Sequence, residues 1–259
     1  MKNIKIYVIA LAVSIVLGYG VANSVGTNQD FIYQADKEVQ TVNSTPLKGL
    51  TVCIDAGHGK TSRSNKETEP LAPGIEIQKA AIASGTRGVV TGISEAKLNL
   101  TVAKKLRDSL VQNGAKVIMV RETEECGLTN VERAKFWNSS KVDLTIRLHG
   151  NGTDDSSVSG VLMMIPGNKY IKDTEILKNS RKAGELVLEG VIGYTKSKSR
   201  GIQETCDLTG FNWSRVPVIL LEMGFMTNPE EDKLLNTDQY QNKMVEGITA
   251  GLIKYVNQK

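Results

Sequence analysis

Short apolar runs separated by longer amphipathic stretches recur along this chain, and that alternation restricts its fold more than any other feature. The runs are 50–54, 116–120, 142–148, 160–165 and 216–221. Residues 94–113 repeat Leu98, Val102, Leu106 and Leu110 at i+4, with Ser94 to cap the helix and Gly114 to end it. Residues 129–138 and 173–192 read as further helices, and 238–256 close the chain with Tyr240, Met244, Ile248, Leu252 and Val256 at the same spacing. Strands alternating with helices predict an α/β fold, a single domain with a mostly parallel twisted sheet flanked by helices on both faces. In such sheets ligands bind beyond the carboxyl ends of the strands, so the residues placed there are the candidates for chemistry.

Only two histidines occur in the 259 residues. His58 follows the first run within Asp55-Ala56-Gly57-His58-Gly59, and His149 follows the third within Arg147-Leu148-His149-Gly150-Asn151. Two imidazoles in matching settings, each just past a strand and amid glycine, suggest a metal site. Glu222 directly follows the run 216–221, and Glu95 lies in the first turn of the 94–113 helix on its inward side. A catalytic zinc site takes three protein ligands, often two imidazoles and a carboxylate, and bound zinc lowers the pKa of its water towards about 7. His58, Glu95 and His149 are therefore the expected ligands, with Glu222 as general base and then acid towards a leaving amine. Its position after an apolar run favours a desolvated carboxylate with a raised pKa.

Composition excludes several classes. The net charge is +4, and Lys2 and Lys5 fall outside any folded domain, so nothing supports nucleic-acid binding. Those lysines precede a charge-free apolar run, 6–22, which marks 1–26 as a signal peptide or N-terminal membrane anchor, attached through 6–22 if uncleaved. Residues 27–47 read as a polar linker and 48–259 as the catalytic domain, placed outside the cytoplasm. Three cysteines make no disulfide framework. Cys53 sits in the first strand as a core residue, while Cys126 and Cys206 lie in polar connections and their pairing stays open. The segment 60–92 is long and mostly polar, with an Ala-rich piece, 77–84, expected to hold a turn of helix; a loop of this length is usually functional. Gly59-Lys60-Thr61 has the tail of a P-loop, but Ile54 stands where the motif needs its first glycine, and no helix pattern follows to bind phosphate. There is no Gly-x-Ser-x-Gly elbow and no Pro-Cys-x-x-Cys deaminase signature.

Taken in order over about residues 48–258, these motifs resemble the zinc-dependent N-acetylmuramoyl-L-alanine amidases of bacterial cell walls, the amidase-3 type. The family's opening motif corresponds to Asp55-Ala56-Gly57-His58-Gly59, and its metal glutamate, opening a Glu-x-x-x-Leu helix, to Glu95 followed by Leu98, Asn99 and Leu100. The Val-x-x-x-Arg strand end corresponds to Val117 and Arg121, the Glu-Arg pair of the next helix to Glu132-Arg133, and the second metal histidine to His149. The catalytic glutamate corresponds to Glu222 in Glu222-Met223-Gly224-Phe225-Met226-Thr227-Asn228. The resemblance implies one zinc ion per chain, peptidoglycan as the partner, and hydrolysis of the amide between N-acetylmuramic acid and L-alanine in the cell envelope. Arg147, Asn151 and Asn228 are candidate substrate contacts. No separate wall-binding domain is visible, so targeting would fall to the anchor or to a protein activator. Two departures matter. Arg147 stands where the family usually has serine, free to bind a substrate carboxylate or to pair with a neighbouring acid. Segment 60–92 is longer than usual, so Glu67, Glu69 and Glu76 compete with Glu95 as the oxygen ligand. The alternatives are a zinc peptidase acting within the stem peptide, and a non-catalytic wall-binding module.

Overall fold

The computed structural model describes residues 45–258, so the expected signal or anchor segment and residues 27–44 of the expected linker lie outside it. In chain order the elements are β1 (Thr51–Ala56), β2 (Thr68–Pro70), β3 (Gln78–Ala80), α1 (Glu95–Gln112), β4 (Lys116–Met119), α2 (Asn130–Ser139), β5 (Leu144–Asn151), β6 (Val161–Pro166), α3 (Thr174–Thr195), β7 (Ser199–Thr205), α4 (Thr209–Asn212), β8 (Val218–Phe225), α5 (Pro229–Leu235) and α6 (Asp238–Asn257). Six strands form one sheet in the order β4-β1-β5-β8-β6-β7. Pairing is parallel except where β6 runs antiparallel to β8, and β2 and β3 form a separate antiparallel hairpin. Among the described residues no helix is long and apolar enough to cross a membrane.

Side-chain parity along the strands decides where the chemistry lies. Val52, Ile54 and Ala56 of β1, Leu144, Ile146 and Leu148 of β5, and Ile219, Leu221 and Met223 of β8 enter one large core beneath α1, α3 and α6. Because successive strand residues point to opposite faces, Asp55, Arg147, His149 and Glu222 must share the other face. That second face is thinly covered. Trp137 and Ala134 of α2 pack there with Cys53, and Phe211 of α4 packs with Val218 and Leu220. Burial also drives the Cys53 thiol well above its ordinary pKa, consistent with an inert core residue.

Helix ends agree with the sequence. The Ser94 side chain accepts from the Lys97 amide, and Thr129 and Glu132 form a reciprocal capping box that starts α2. On the well-covered face α3 and α6 lie unusually close, because a Cβ at Gly247 would sit 2.6 Å from Val191 Cα and 2.8 Å from the Gly190 carbonyl oxygen.

Several expectations change. Residues 77–84 hold strand β3 rather than a helical turn, and all three β3 residues are exposed, so a helix there would have had no face to bury. Leu47, assigned to the linker, is fully buried in the main core. β5 and β8 extend beyond the apolar runs, so His149 and Glu222 lie inside strands rather than past their ends, paired in register as neighbours. β7, α4 and α5 had no apolar periodicity to announce them.

Segment 60–92 is tied down along its length. The Lys60 amide donates to the Glu124 carbonyl, and the Val131 amide to the buried carboxylate of Glu69. Trp213 Nε1 donates to the Pro70 carbonyl at 2.9 Å, and the amides of Val90 and Thr91 donate to the fully buried Asp232 at 2.7 and 2.8 Å.

Candidate active site

The end of β1 is built around a buried charge. Asp55 has no exposed surface, and its two oxygens accept from Arg133 Nη1 at 2.5 Å and Arg147 Nε at 2.8 Å. Burial works to raise the Asp55 pKa, but the two guanidinium groups outweigh it and hold the carboxyl well below its usual range. The arginines also gather the carbonyls of the turn that follows. Arg133 Nη2 donates to the His58 carbonyl at 2.7 Å, and Arg121 Nε to that of Ala56 at 2.8 Å and Nη2 to that of Gly57 at 3.0 Å. These bonds hold His58 at φ 60, a left-handed conformation uncommon outside glycine, which aims its imidazole across the strand ends.

Three of the predicted site residues converge. The ligand atoms of His58, Glu95 and His149 all lie within 4.8 Å of one another. Glu95 Oε1 is 3.0 Å from His58 Nε2 and 3.0 Å from His149 Nδ1. His58 Nδ1 lies 2.7 Å from the Ala83 carbonyl, which can only accept, so Nδ1 carries the proton and Nε2 presents a lone pair. Glu95 is itself oriented by the Thr86 amide at 2.9 Å, the Gly150 amide at 3.1 Å and Asn99 Nδ2 at 3.3 Å. Although burial works to raise the Glu95 pKa, the two imidazoles beside its carboxylate, His149 first, outweigh it and hold the group far below the carboxylate range. Burial lowers His149 to about 4, which keeps its ring neutral at pH 7. Two imidazoles and an ionised carboxylate whose ligand atoms cluster together form a donor set suited to a divalent cation. The three rival carboxylates stand elsewhere: Glu67 pairs with Arg63, Glu69 receives the Val131 amide, and Glu76 is exposed.

Glu222 borders the same cleft, which has a volume of about 590 Å³ and is lined also by Asn151, Thr227, Met164 and Leu220. Its Oε2 is buried without a hydrogen-bond partner among the described residues. Burial first, then the charge of Glu95, pushes its pKa up to about 8.

The remaining candidates divide. Asn151 lines the cleft. Arg147 also borders it, but its Nε is held by Asp55 and its guanidinium lies 5.8 Å over the Trp137 ring, so of the two sequence readings the structure favours pairing with an acid. Asn228 does not line the cleft. Its side-chain oxygen caps α5 by accepting from the Glu230 and Glu231 amides, and its Nδ2 donates to the Ser156 carbonyl. Cys53, Cys126 and Cys206 are all free thiols, so the open pairing of Cys126 with Cys206 is absent. Lys60 pairs with Glu124 at 2.6 Å. Sequence reading gave no role to Asp55, Asn99 or Thr86. A carboxylate inside an apolar strand was the available signal for Asp55, since burial there demands a counter-charge.

Among the glycines beside the three-residue cluster, Gly57 has the least room. A Cβ on it would collide with Cε1 of His149 and lie 2.7 Å from Nδ1. Gly57→Ala should displace that ring and weaken metal binding by about ten- to a hundredfold while the fold survives, as metal titration and circular dichroism would report.

Comparison with known proteins places this geometry. A family model described as N-acetylmuramoyl-L-alanine amidase matches residues 52–254. The germination-specific N-acetylmuramoyl-L-alanine amidase of Bacillus subtilis is 28% identical over 231 residues, covering 83% of this chain and 84% of that protein. The YqiI protein of the same organism is 27% identical over 213 residues, covering 82% of this chain and 88% of that protein. The crystal structure of an N-acetylmuramoyl-L-alanine amidase from Clostridium difficile 630 matches with a TM-score of 0.67 at 26% identity, covering 81% of this chain and 98% of that one.

Proposed function

The chain belongs to the N-acetylmuramoyl-L-alanine amidase family and is a peptidoglycan amidase; from that premise we propose that zinc held by His58, Glu95 and His149 serves a reaction in which Glu222 moves the proton. The carrying observation is the pairing of His149 with Glu222 across β5 and β8, which sets a carboxylate whose buried Oε2 has no hydrogen-bond partner among the described residues beside the three-residue cluster.

Zinc, when bound, supplies a Lewis acid that acidifies water and polarises a carbonyl oxygen. The rest falls to the chain. Glu95 contributes the negative charge of the ligand set, and the Ala83 carbonyl keeps the His58 lone pair on Nε2. Glu222 accepts a proton from the attacking water and passes it to the departing nitrogen. A carbon–oxygen bond forms at the lactyl carbonyl and the carbon–nitrogen bond breaks. Muramic acid keeps a free lactyl carboxylate, and the stem peptide leaves with a free amine on L-alanine. Asn151, at the cleft wall, is positioned to contact the peptide.

Mass spectrometry of digested peptidoglycan tests the reaction directly. Intact stem peptides beginning at L-alanine are expected; fragments cut within the stem would instead establish the peptidase alternative. Glu95→Ala should lower zinc affinity by at least about a hundredfold, read by elemental analysis after dialysis. Normal zinc content in that variant would move the oxygen ligand elsewhere. The same reading places the domain in the cell envelope, exported through residues 1–26, with membrane attachment through 6–22 or a protein activator bringing it to its substrate.

A further inference from the structure

A second cavity, of about 690 Å³, opens where the C-terminal end of α2, the start of α3 and the end of α4 meet the 60–92 segment. Lys135, Lys172 and Arg215 line it with Tyr170, Trp213 and Asn212. The three cations are exposed. Among the described residues Lys172 reaches only the Asn168 carbonyl, and Lys135 lies 5.6 Å over the Trp213 ring. Asp173, the one acid of the lining among the described residues, is engaged in capping α3 through the Glu175 and Ile176 amides. Asn212 is 4% exposed. Its Nδ2 donates to the Leu71 and Cys206 carbonyls, yet its Oδ1 has no partner among the described residues. The cavity therefore offers cations in excess, two aromatic rings and a buried acceptor that lacks a donor.

Its position adds a constraint. Leu208, which precedes α4, lines the catalytic cleft, and Asn212 at the other end of α4 lines the second cavity. A single helical turn, roughly 6 Å of rise, separates them. We propose that this cavity binds muramic acid residues whose lactyl carboxylate is free, the sugar that amide cleavage leaves on the glycan. This rests on the amidase reading above, because uncut muramic acid carries a neutral amide at that position. Cations recognise the new carboxylate, Trp213 and Tyr170 add aromatic wall for the pyranose ring to lie against, and a sugar hydroxyl or acetamido N–H supplies the donor that Asn212 Oδ1 lacks. Binding would hold the protein on a strand it has begun to strip.

Trp213 provides the readout, since the chain has two tryptophans and Trp137 is fully buried. The zinc-loaded full chain would be titrated with a soluble tetrasaccharide of alternating N-acetylglucosamine and N-acetylmuramic acid bearing free lactyl carboxylates. Saturable change in Trp213 fluorescence is expected, with at least about tenfold weaker binding of the matching N-acetylglucosamine oligomer. Lys172→Glu with Arg215→Glu, both exposed positions, should abolish the response while cleavage of a short soluble muramyl peptide continues unchanged. Equal binding of the neutral oligomer overturns the proposal, as does an unaffected double variant, or tighter binding of free stem peptide or polyglycerol phosphate at Trp213. An active amidase that fails to bind the acidic sugar defeats only this inference; a protein that binds it without cleaving peptidoglycan defeats only the amidase reading.

Discussion

Glu222→Gln should lower amidase turnover by about 10²- to 10⁴-fold and leave the zinc content unchanged. The amide matches the carboxyl in shape but can neither take a proton from water nor return one to a leaving nitrogen. A zinc-loaded Gln variant with parental activity would remove Glu222 from the mechanism. The same variant has a second signature in the metal-free protein. There the Glu222 pKa rises from 4.5 to about 8, driven first by burial and then by Glu95. Between those values the folded chain holds a proton that the unfolded chain has released, so stability falls as pH rises across that window. Glutamine does not titrate, and metal-free Glu222→Gln should lose that part of the slope. Denaturation series at several pH values, with and without chelator, would show it.

Asp55→Ala is expected to destabilise the domain by about 3–5 kcal/mol, lowering its melting temperature by roughly 10 °C. The magnitude follows from what remains. Arg133 and Arg147 are 5% and 4% exposed, and both would stay buried without the carboxylate they share. Because Arg133 also holds the His58 carbonyl, zinc affinity should fall together with stability. Surviving wild-type stability in this variant would mean that the two guanidinium groups find other acceptors. Since the Asp55 pKa lies well below its ordinary value of 3.8 in the folded protein, its contribution is present at neutral pH and is lost as pH falls below that value. Acid unfolding of the parent should therefore be steeper than that of the variant.

The alternation of strands and helices was legible because β1, β5 and β8 carry apolar runs long enough to be buried on the main core face. His58, Glu95, His149 and Glu222 were legible from their positions relative to those runs. What escaped was whatever depends on pairing between distant segments. The strand extensions that take in His149 and Glu222 are sustained by β5–β8 register. Strand β7 carries a single isoleucine among polar residues and forms only as an edge against β6. The role of Arg147 turned on Asp55, which lies on a neighbouring strand. Asn228 looked like a site residue from its motif, yet a helix N-cap demands the same residue type.

The anchored 60–92 segment has a kinetic consequence. Its cleft-lining part is bonded through Ala83 to His58, through the Thr86 amide to Glu95 and through the Val89 amide to Met226, and the segment is anchored on either side by Glu124, Val131, Trp213 and Asp232, so it is held in place beside bound substrate. Turnover should then lack a closing step, and product should leave at a rate fixed by its own contacts rather than by an opening motion. The backbone amides of Val90 and Thr91, at an exposed tip, should resist hydrogen exchange far longer than a surface turn normally does. Solvent viscosity would then influence encounter with the glycan while leaving the maximal rate untouched.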